Sequence, residues 1–481
     1  MTTGAILAID QGTSGTKAIV VDDDDGVLAE VEVALSPTYL ANGGVEQDPH
    51  ALLDSVITAG GQALARAGRP VSHVAVANQG ETVLAWDRAT GRPLSPAIVW
   101  QDRRAASVCA RLTEHAELLA ARTGLVLDPY FSAPKMTWLR ENVTRDGVVT
   151  MTDSWLVHAL CGEFVTDAST ASRSLLLDLD AVAWDDRLVE VFGLGDEALP
   201  ELVACDQPIG TTTRFGAPMT VGGLIPDQPA ALLAQRCHAP GQAKCTFGTG
   251  AFLLANTGSQ AVRSGAGLTT SVAWQLADQT TYCLDGQIYT AASAVRWLTD
   301  LGLIGSAREL DRFAETDSDG VVCVPALAGL AAPWWQPNAT ATFTGMTLAT
   351  GRGQLVVAVL QGIAAQVVEL MDVVARDGDR PLSALRVDGG LTRSAALMQA
   401  VADLAQLPVE LYPSPHATAQ GAAAVARMSR RPGLPLAQAV DDWQPELTYE
   451  PRWPPDRADE FRARWRAAAT ANLPEPAGAG A

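Results

Sequence analysis

Asp10 closes a short apolar run, Ala5 to Ile9, and is followed by the turn Gln11-Gly12-Thr13-Ser14-Gly15-Thr16 and then by Lys17. Glycine lets backbone N–H groups approach an anion closely, and Thr and Ser add hydroxyl donors, so this turn suits phosphate oxygens. Asp10 stands beside it, where Mg2+ could be held, since that ion typically takes one or two carboxylates plus substrate phosphates. Lys17 adds a neutralising charge. A second turn of the same design, Gly248-Thr249-Gly250, separates the runs Lys244–Phe247 and Ala251–Gly258. A third, Asp388-Gly389-Gly390, leads into a helix expected from Thr392 to Leu407 and capped by Thr392-Arg393-Ser394, whose free amides favour an anion. Each turn by itself is also an ordinary connection, because Gly and Thr are common in turns.

Asp227 and Gln228 follow the apolar run Val221–Pro226 and precede a helix expected over Ala230–Gln235. Asp227 reads either as the N-cap of that helix or as a base aimed into a cleft. Ordinary acidity is no obstacle to the second role: phosphoryl transfer has a loose transition state, so a carboxylate can orient a hydroxyl and take its proton late. Acceptors and an aromatic face for a hydroxylated ligand come from Gln79 and Glu81, from Trp100 and from Tyr130.

The elements that must position these residues alternate between short apolar runs (74–77, 83–86, 98–100, 321–325) and helical stretches (50–66, 103–121), the pattern of an α/β fold. Neither GxxxxGK[ST] nor GxGxxG is present at the first turn, where strand follows strand, so P-loop and Rossmann sites are disfavoured. Asp22–Asp25 is expected to be a solvated hairpin tip, lacking calcium-loop spacing. With 481 residues the chain has room for a deep interdomain cleft. Its 34 basic and 54 acidic residues give a net charge of −20, against a nucleic-acid binder, which needs a cationic surface. Residues 355–374 are apolar but carry Gln361, Gln366, Glu369 and Asp372, so they read as a buried helix rather than a membrane span. Seven cysteines without CxxC pairs read as reduced thiols, the N-terminus lacks the basic start of a secretory signal, and the expected location is cytoplasmic.

The stretches AILAIDQGTSGTKAIVVD, VANQGETVLAWDRATGRPLSPAIVWQDRR, DPYFSAPKMTWLRENV, TDSWLVHALCGEFVTDASTASRSLL, CTFGTGAFLLANTG and LRVDGGLTRSAALMQAVADLAQLPVE occur in the order found in FGGY carbohydrate kinases. The chain resembles that family along nearly its whole length, most of all the glycerol kinase branch. The resemblance implies an actin-like ATPase fold of two ribonuclease-H-like domains around an interdomain cleft. The expected division is 1–240, mainly polyol binding, 241–471, mainly ATP binding, and a flexible tail, 472–481. It also implies ATP and Mg2+, with Asp10 near the metal and Thr13, Ser14, Gly15 and Lys17 bordering the transferred phosphate. Gly248, Thr249, Gly389, Gly390 and Ser394 fall at the nucleotide. Gln79, Glu81, Trp100, Tyr130, Asp227, Gln228 and Phe252 fall at the polyol, Asp227 being the catalytic base. The implied activity is ATP-dependent phosphorylation of a primary hydroxyl of a small polyol, glycerol first. The alternatives are a kinase of a four- or five-carbon polyol or ketose such as erythritol or xylulose, and a non-catalytic nucleotide- and sugar-binding protein. A homodimer or homotetramer is the family expectation. Three departures stand out: Gly80 where glycerol kinases carry Arg, Ala292 and Arg296 where relatives have Gly and Gln, and His416, near which they have Glu.

Overall fold

A computed structural model describes residues 4–41, 43–471 and 473. The tail expected over 472–481 lies outside the described residues apart from Leu473.

Two large sheets organise the chain. The first contains β1 (Ala5–Gln11), β2 (Gly15–Asp22), β3 (Gly26–Ala34), β4 (Val71–Asn78), β5 (Gly210–Thr212) and β6 (Met219–Pro226), in the order β5-β6-β4-β1-β2-β3. The second contains β7 (Ala243–Phe247), β8 (Ala251–Gly258), β9 (Thr269–Leu276), β10 (Gln279–Ile288), β11 (Leu385–Asp388), β12 (Val409–Leu411) and β13 (Leu447–Tyr449), in the order β9-β10-β8-β7-β11-β12-β13. One plan underlies both. β1, β2 and β3 form an antiparallel meander, and β4 and then β6 join β1 in parallel. Likewise β7, β8 and β10 are antiparallel, while β11 and β12 extend β7 in parallel. This is the duplicated, ribonuclease-H-like architecture expected from the resemblance.

β1 is apolar at every position from Ala5 to Ile9 because helices cover both its faces. Leu7 and Ile9 pack toward α1 (Pro49–Ala67) through Leu52, Val56 and Ala59. Ile6 and Ala8 point the other way, into a cluster with Ala419, Ala422 and Ala423 of a helix, 417–430, from much later in the chain. Asp48 caps α1 by accepting from the His50 amide at 2.9 Å, Pro49 begins it, and Gly68 ends it at φ +61°. The helix expected over 50–66 is therefore present with one extra residue at each end.

Four further helices bear on the site: α2 (Asp227–Ala234), α3 (Arg352–Asp377), α4 (Ala395–Ala405) and α5 (Ala417–Arg430). Among the described residues α3 alone is long and apolar enough to cross a membrane, and 89% of its apolar window is buried in the protein, as a core helix requires. α5 lies against the first sheet and crosses α2 at Gly421, where a Cβ would stand 1.9 Å from the Ala230 carbonyl oxygen.

Three local expectations need correction. The single helix over 103–121 is broken into Ala106–Arg111, a 3-10 turn at Thr113–His115 and Ala116–Thr123; the Thr113 hydroxyl bonds back to the Ala110 carbonyl at 3.0 Å at the break. The helix expected from Thr392 starts at Ala395, after a 3-10 turn over Gly390–Arg393, with Ser394 as its N-cap. The Asp22–Asp25 tip is not merely solvated: Asp23 bonds Arg427 at 3.1 Å, Arg430 at 2.5 Å and also Arg431, all brought to it by α5. No local pattern could have indicated partners some 400 residues away.

Candidate active site

The C-terminal ends of the parallel strands in both sheets turn toward one cleft, the usual place for a ligand in α/β sheets. β1 delivers Asp10, β6 leads into α2 with Asp227 at its first residue, and β11 delivers Asp388. The turn joining β1 to β2 and the turn joining β7 to β8 both line a single cavity of about 260 Å³. Thr13 and Ser14 come from the first turn, Gly248, Thr249 and Gly250 from the second.

Each turn is held from behind. Gly12 donates to the Gly15 carbonyl at 3.0 Å, and the Gln47 amide reaches the Thr13 carbonyl at 2.7 Å. Thr13 Oγ1 donates to Gln79 Oε1 at 2.9 Å, and Gln79 Nε2 in turn donates to Gln47 Oε1 at 2.8 Å. Gln79 is thus buried behind the turn and does not line the cavity. In the second turn Gly248 donates to the Gly250 carbonyl at 2.9 Å, and the Ala291 and Ser293 amides donate to the Thr249 carbonyl at 2.9 and 3.2 Å. Gly250 is sterically required: a Cβ there would lie 2.2 Å from the Ile288 carbonyl oxygen. The departure at Ala292 therefore sits in the helix start directly beneath this turn.

An aromatic wall closes one side. Trp100 stands edge-on to Tyr130 and to Phe252, each at 5.7 Å between ring centroids, and its Nε1 donates to Thr13 Oγ1 at 2.9 Å. Phe252 comes from the second sheet, so the two halves share this wall. Lys135, fully buried, donates to the carbonyls of Pro129, Tyr130 and Phe131 at 2.9, 2.5 and 2.5 Å and fixes the turn that presents Tyr130. Burial pulls its pKa down to about 7, against the nearby Glu81, Asp102 and Asp128 carboxylates.

Charge is concentrated at the bottom of the cleft. Desolvation first, and then the Asp227 and Asp388 carboxylates, push the Asp10 pKa up to about 7, with Lys17 opposing. Burial also raises the Asp227 and Asp388 pKa values, and in both cases the Lys244 ammonium counters it. Lys244 is fully buried; it donates to Gln228 Oε1 and, at 2.8 Å, to Thr246 Oγ1, which donates to Asp388 Oδ1 at 2.5 Å. Asp227 does not serve as an N-cap: Pro226 holds that position without a side-chain bond, and Asp227 Oδ1 accepts from the adjacent Gln228 amide at 2.7 Å. Its carboxylate faces the cavity.

Farther in, Glu81 sits at φ +56°, a left-handed backbone uncommon for a residue with a side chain. Arg173 donates from Nε to Glu81 at 2.6 Å, and its Nη1 lies 3.2 Å from Asp285 Oδ2. All three side chains are at least nine-tenths buried and line the cavity. Burial raises the Glu81 and Asp285 pKa values, opposed by Arg173, whose own pKa is raised by the two carboxylates.

Of the residues picked out in the sequence, Thr13, Ser14, Glu81, Trp100, Tyr130, Asp227, Gln228, Gly248, Thr249 and Phe252 meet around this cavity. Gly15, Lys17 and Asp10 lie on β1 and β2 beside it. Gly389, at φ +97° against the Phe247 carbonyl, and Gly390 are exposed at the end of β11, outside the lining. Ser394 is buried, its hydroxyl engaged with Asp311 Oδ1 and the Leu397 amide, both at 3.3 Å. Arg173, Lys244, Asp285 and Lys135 went unassigned in the sequence. Asp285 had a visible signal, a carboxylate inside the apolar run Tyr282–Ile288; the others are single cations with no pattern.

The model of the FGGY family of carbohydrate kinases, N-terminal domain, matches residues 5–230, and that of the C-terminal domain matches residues 243–430. A glycerol kinase of Aromatoleum aromaticum is 41% identical over 96% of this chain and 97% of its own. One from Thermus brockianus is 41% identical over the same shares, 96% and 97%. The solved structure of Plasmodium falciparum glycerol kinase with ADP superimposes with a TM-score of 0.89 at 30% identity, covering 98% of this chain and 99% of that one.

Proposed function

The chain belongs to the FGGY family of carbohydrate kinases and is an ATP-dependent kinase, and from that premise we propose that it phosphorylates a primary hydroxyl of a small polyol, glycerol being the first substrate to test. The observation that carries this reading is the meeting of both Gly/Thr turns and the Asp227 carboxylate around one cavity with an aromatic wall.

In this reading Thr13, Ser14, Gly15 and Lys17 surround the transferred phosphoryl group. Gly248 and Thr249 bind the other side of the triphosphate, and Gly389, Gly390 and Ser394 border the nucleotide at the start of α4. Mg2+ would be held by Asp10, with water and phosphate oxygens completing its shell. The fit is chemical: the Asp227 and Asp388 carboxylates raise the proton affinity of Asp10, and hard oxygen donors of this kind suit that ion. When bound, it neutralises phosphate charge.

The polyol lies against Trp100, Tyr130 and Phe252 with Glu81 and Gln228 as hydrogen-bond partners, Gln79 acting from behind through Thr13. Asp227 orients the attacking hydroxyl and accepts its proton as the O–P bond forms. Lys244 holds Gln228, and its ammonium opposes the upward push of burial on the Asp227 pKa. Closure of the lobes would exclude water and limit hydrolysis of ATP. The domains are assigned as 1–240, mainly polyol binding, and 241–471, mainly nucleotide binding. The protein is assigned to the cytoplasm, as a homodimer or homotetramer without nucleic-acid or membrane partners.

Asp227→Ala is expected to lower kcat by about 10²–10⁴-fold, the usual worth of a positioned base, with ATP affinity by calorimetry changed less than about twofold. Near wild-type turnover in this variant would remove Asp227 from the base role.

A further inference from the structure

The aromatic wall has open space on both sides. Trp100 and Tyr130 line the cavity that holds Asp227, and they also line another cavity of about 210 Å³, together with Arg103 and Tyr289. A wall that faces a cavity rather than packed core can move without repacking its surroundings. Its rings therefore depend on their own polar supports for position.

Arg103 is the support of Tyr130. Its Nη1 and Nη2 donate to Asp128 at 2.9 and 3.4 Å, and Asp128 Oδ1 accepts from the Tyr130 amide at 2.8 Å. A two-pronged guanidinium–carboxylate pair of this kind fixes direction as well as distance. On its other side the same guanidinium donates to the Tyr289 hydroxyl, which comes from the second half of the chain. Burial and the Asp128 carboxylate push the Tyr289 pKa up, so the phenol stays neutral and can accept.

Tyr289 directly follows β10 and continues the face that carries Asp285, because side chains alternate along a strand. That face meets two arginines of the first half: Asp285 meets Arg173, and Tyr289 meets Arg103. The backbone at Tyr289 also backs the second Gly/Thr turn. A Cβ on Gly250 would stand 2.2 Å from the Ile288 carbonyl oxygen and 3.3 Å from that of Tyr289, and the Ala291 amide holds the Thr249 carbonyl at 2.9 Å. Contacts this close leave no slack between Tyr289 and the turn.

Resting on the kinase reading above, we propose that Arg103 is a positioning residue that couples the two binding sites: contact of a polyol with Tyr130 passes through Asp128 and Arg103 to Tyr289, and from there to the turn at Thr249 that holds the nucleotide. Chains of hydrogen bonds and packed groups carry such coupling. It is reciprocal, so nucleotide held at Thr249 steadies Tyr130 for the polyol by the same factor. Without the Arg103–Tyr289 link each site still binds its own ligand, but neither responds to the other.

The test is calorimetric titration of the full-length enzyme with a non-hydrolysable ATP analogue and Mg2+, without and with saturating glycerol. In the wild type, glycerol should lower the nucleotide Kd about fivefold or more, the usual lower bound of such coupling. Two variants break the link from its two ends. Tyr289→Phe removes one hydroxyl and leaves the Arg103–Asp128 pair in place; Arg103→Lys keeps the charge but cannot bridge two partners with a planar fork. Both should bring the factor to within about twofold of one, with the nucleotide Kd in the absence of glycerol changed less than about twofold. A wild-type factor in both folded variants would overturn the proposal. So would an equal loss of nucleotide affinity with and without glycerol, which a merely structural role predicts, and so would a wild-type factor near one in an enzyme that releases ADP with glycerol. Loss of the factor in Arg103→Lys alone would overturn the route through Tyr289. No glycerol-dependent ADP release from the wild type would overturn the glycerol reading itself, and this proposal with it.

Discussion

Arg173→Leu isolates the electrostatics on which the inner cavity depends. The guanidinium bonds Glu81 at 2.6 Å and lies 3.2 Å from Asp285, and all three groups are buried. Taking one partner out of a buried ion pair costs about 3–5 kcal/mol, because the remaining charge keeps its desolvation penalty without the attraction. The variant has one escape, which is to bind a proton. Holding Glu81 protonated at pH 7.5 costs about 4 kcal/mol relative to an unfolded glutamate, but only about 1 kcal/mol at pH 5, at 1.36 kcal/mol per pH unit. The sign follows from linkage: in the variant the folded-state pKa stands above the unfolded one, so the penalty is absent at low pH and grows as pH rises. Because burial raises the wild-type Glu81 pKa as well, wild type minus variant should shrink by at most about 3 kcal/mol from pH 7.5 to pH 5. For a lobe of this size that corresponds to about 6–12 °C in Tm. Differential scanning fluorimetry at the two pH values measures it directly. An equal Tm loss at both, or a loss below about 2 °C at pH 7.5, would refute the buried triad as the source of the effect. Adding Glu81→Gln and Asp285→Asn to Arg173→Leu should recover most of the lost Tm.

Three other outcomes are expected. Asp153 is fully buried, its Oδ1 is unpartnered, and burial together with Asp167 raises its pKa to about 7. Its favourable contribution is complete below the unfolded pKa and disappears as pH rises toward 7, so the advantage of Asp153→Asn should grow by about 2–3 kcal/mol between pH 5 and pH 7 in thermal melts; a pH-independent difference would contradict this. Lys135→Met withdraws the donor from three carbonyls around Tyr130 and should raise polyol KM about tenfold, as expected for one or two lost charge-assisted bonds, with ATP affinity held; a pure fall in kcat would argue against it. Gly421→Val places side-chain atoms where a Cβ already meets the Ala230 carbonyl at 1.9 Å, so a loss of about 1–3 kcal/mol from forcing α5 away from α2 is expected in denaturant melts. An unchanged midpoint would show that the crossing is not tight.

Local signals were sufficient for the parts of the site that are local. The Gly/Thr turns, the carboxylate ending β1 and the Asp227-Gln228 pair are contiguous patterns, and backbone chemistry dictates what such turns can bind. Helix α1 was legible for the same reason, through Asp48-Pro49 at one end and Gly68 at the other. The break at Thr113 was not, because a periodic apolar pattern continues across it and only a side-chain bond to the backbone marks it. Asp227 looked equally like a cap and a base. Only its placement as the first helical residue, with Pro226 in the cap position, excludes the cap.

What the sequence determined alone is therefore the family and the two Gly/Thr turns, since each rests on neighbours in the chain whose geometry the backbone fixes. The tertiary structure decided which cations and carboxylates face one another. Arg173 between Glu81 and Asp285, Lys244 among Asp227, Gln228 and Asp388, and Asp23 within reach of three arginines at the end of α5 and just after it are brought together by packing across widely separated elements. Electrostatic energies depend on distance and on burial, and neither is a property of position along the chain.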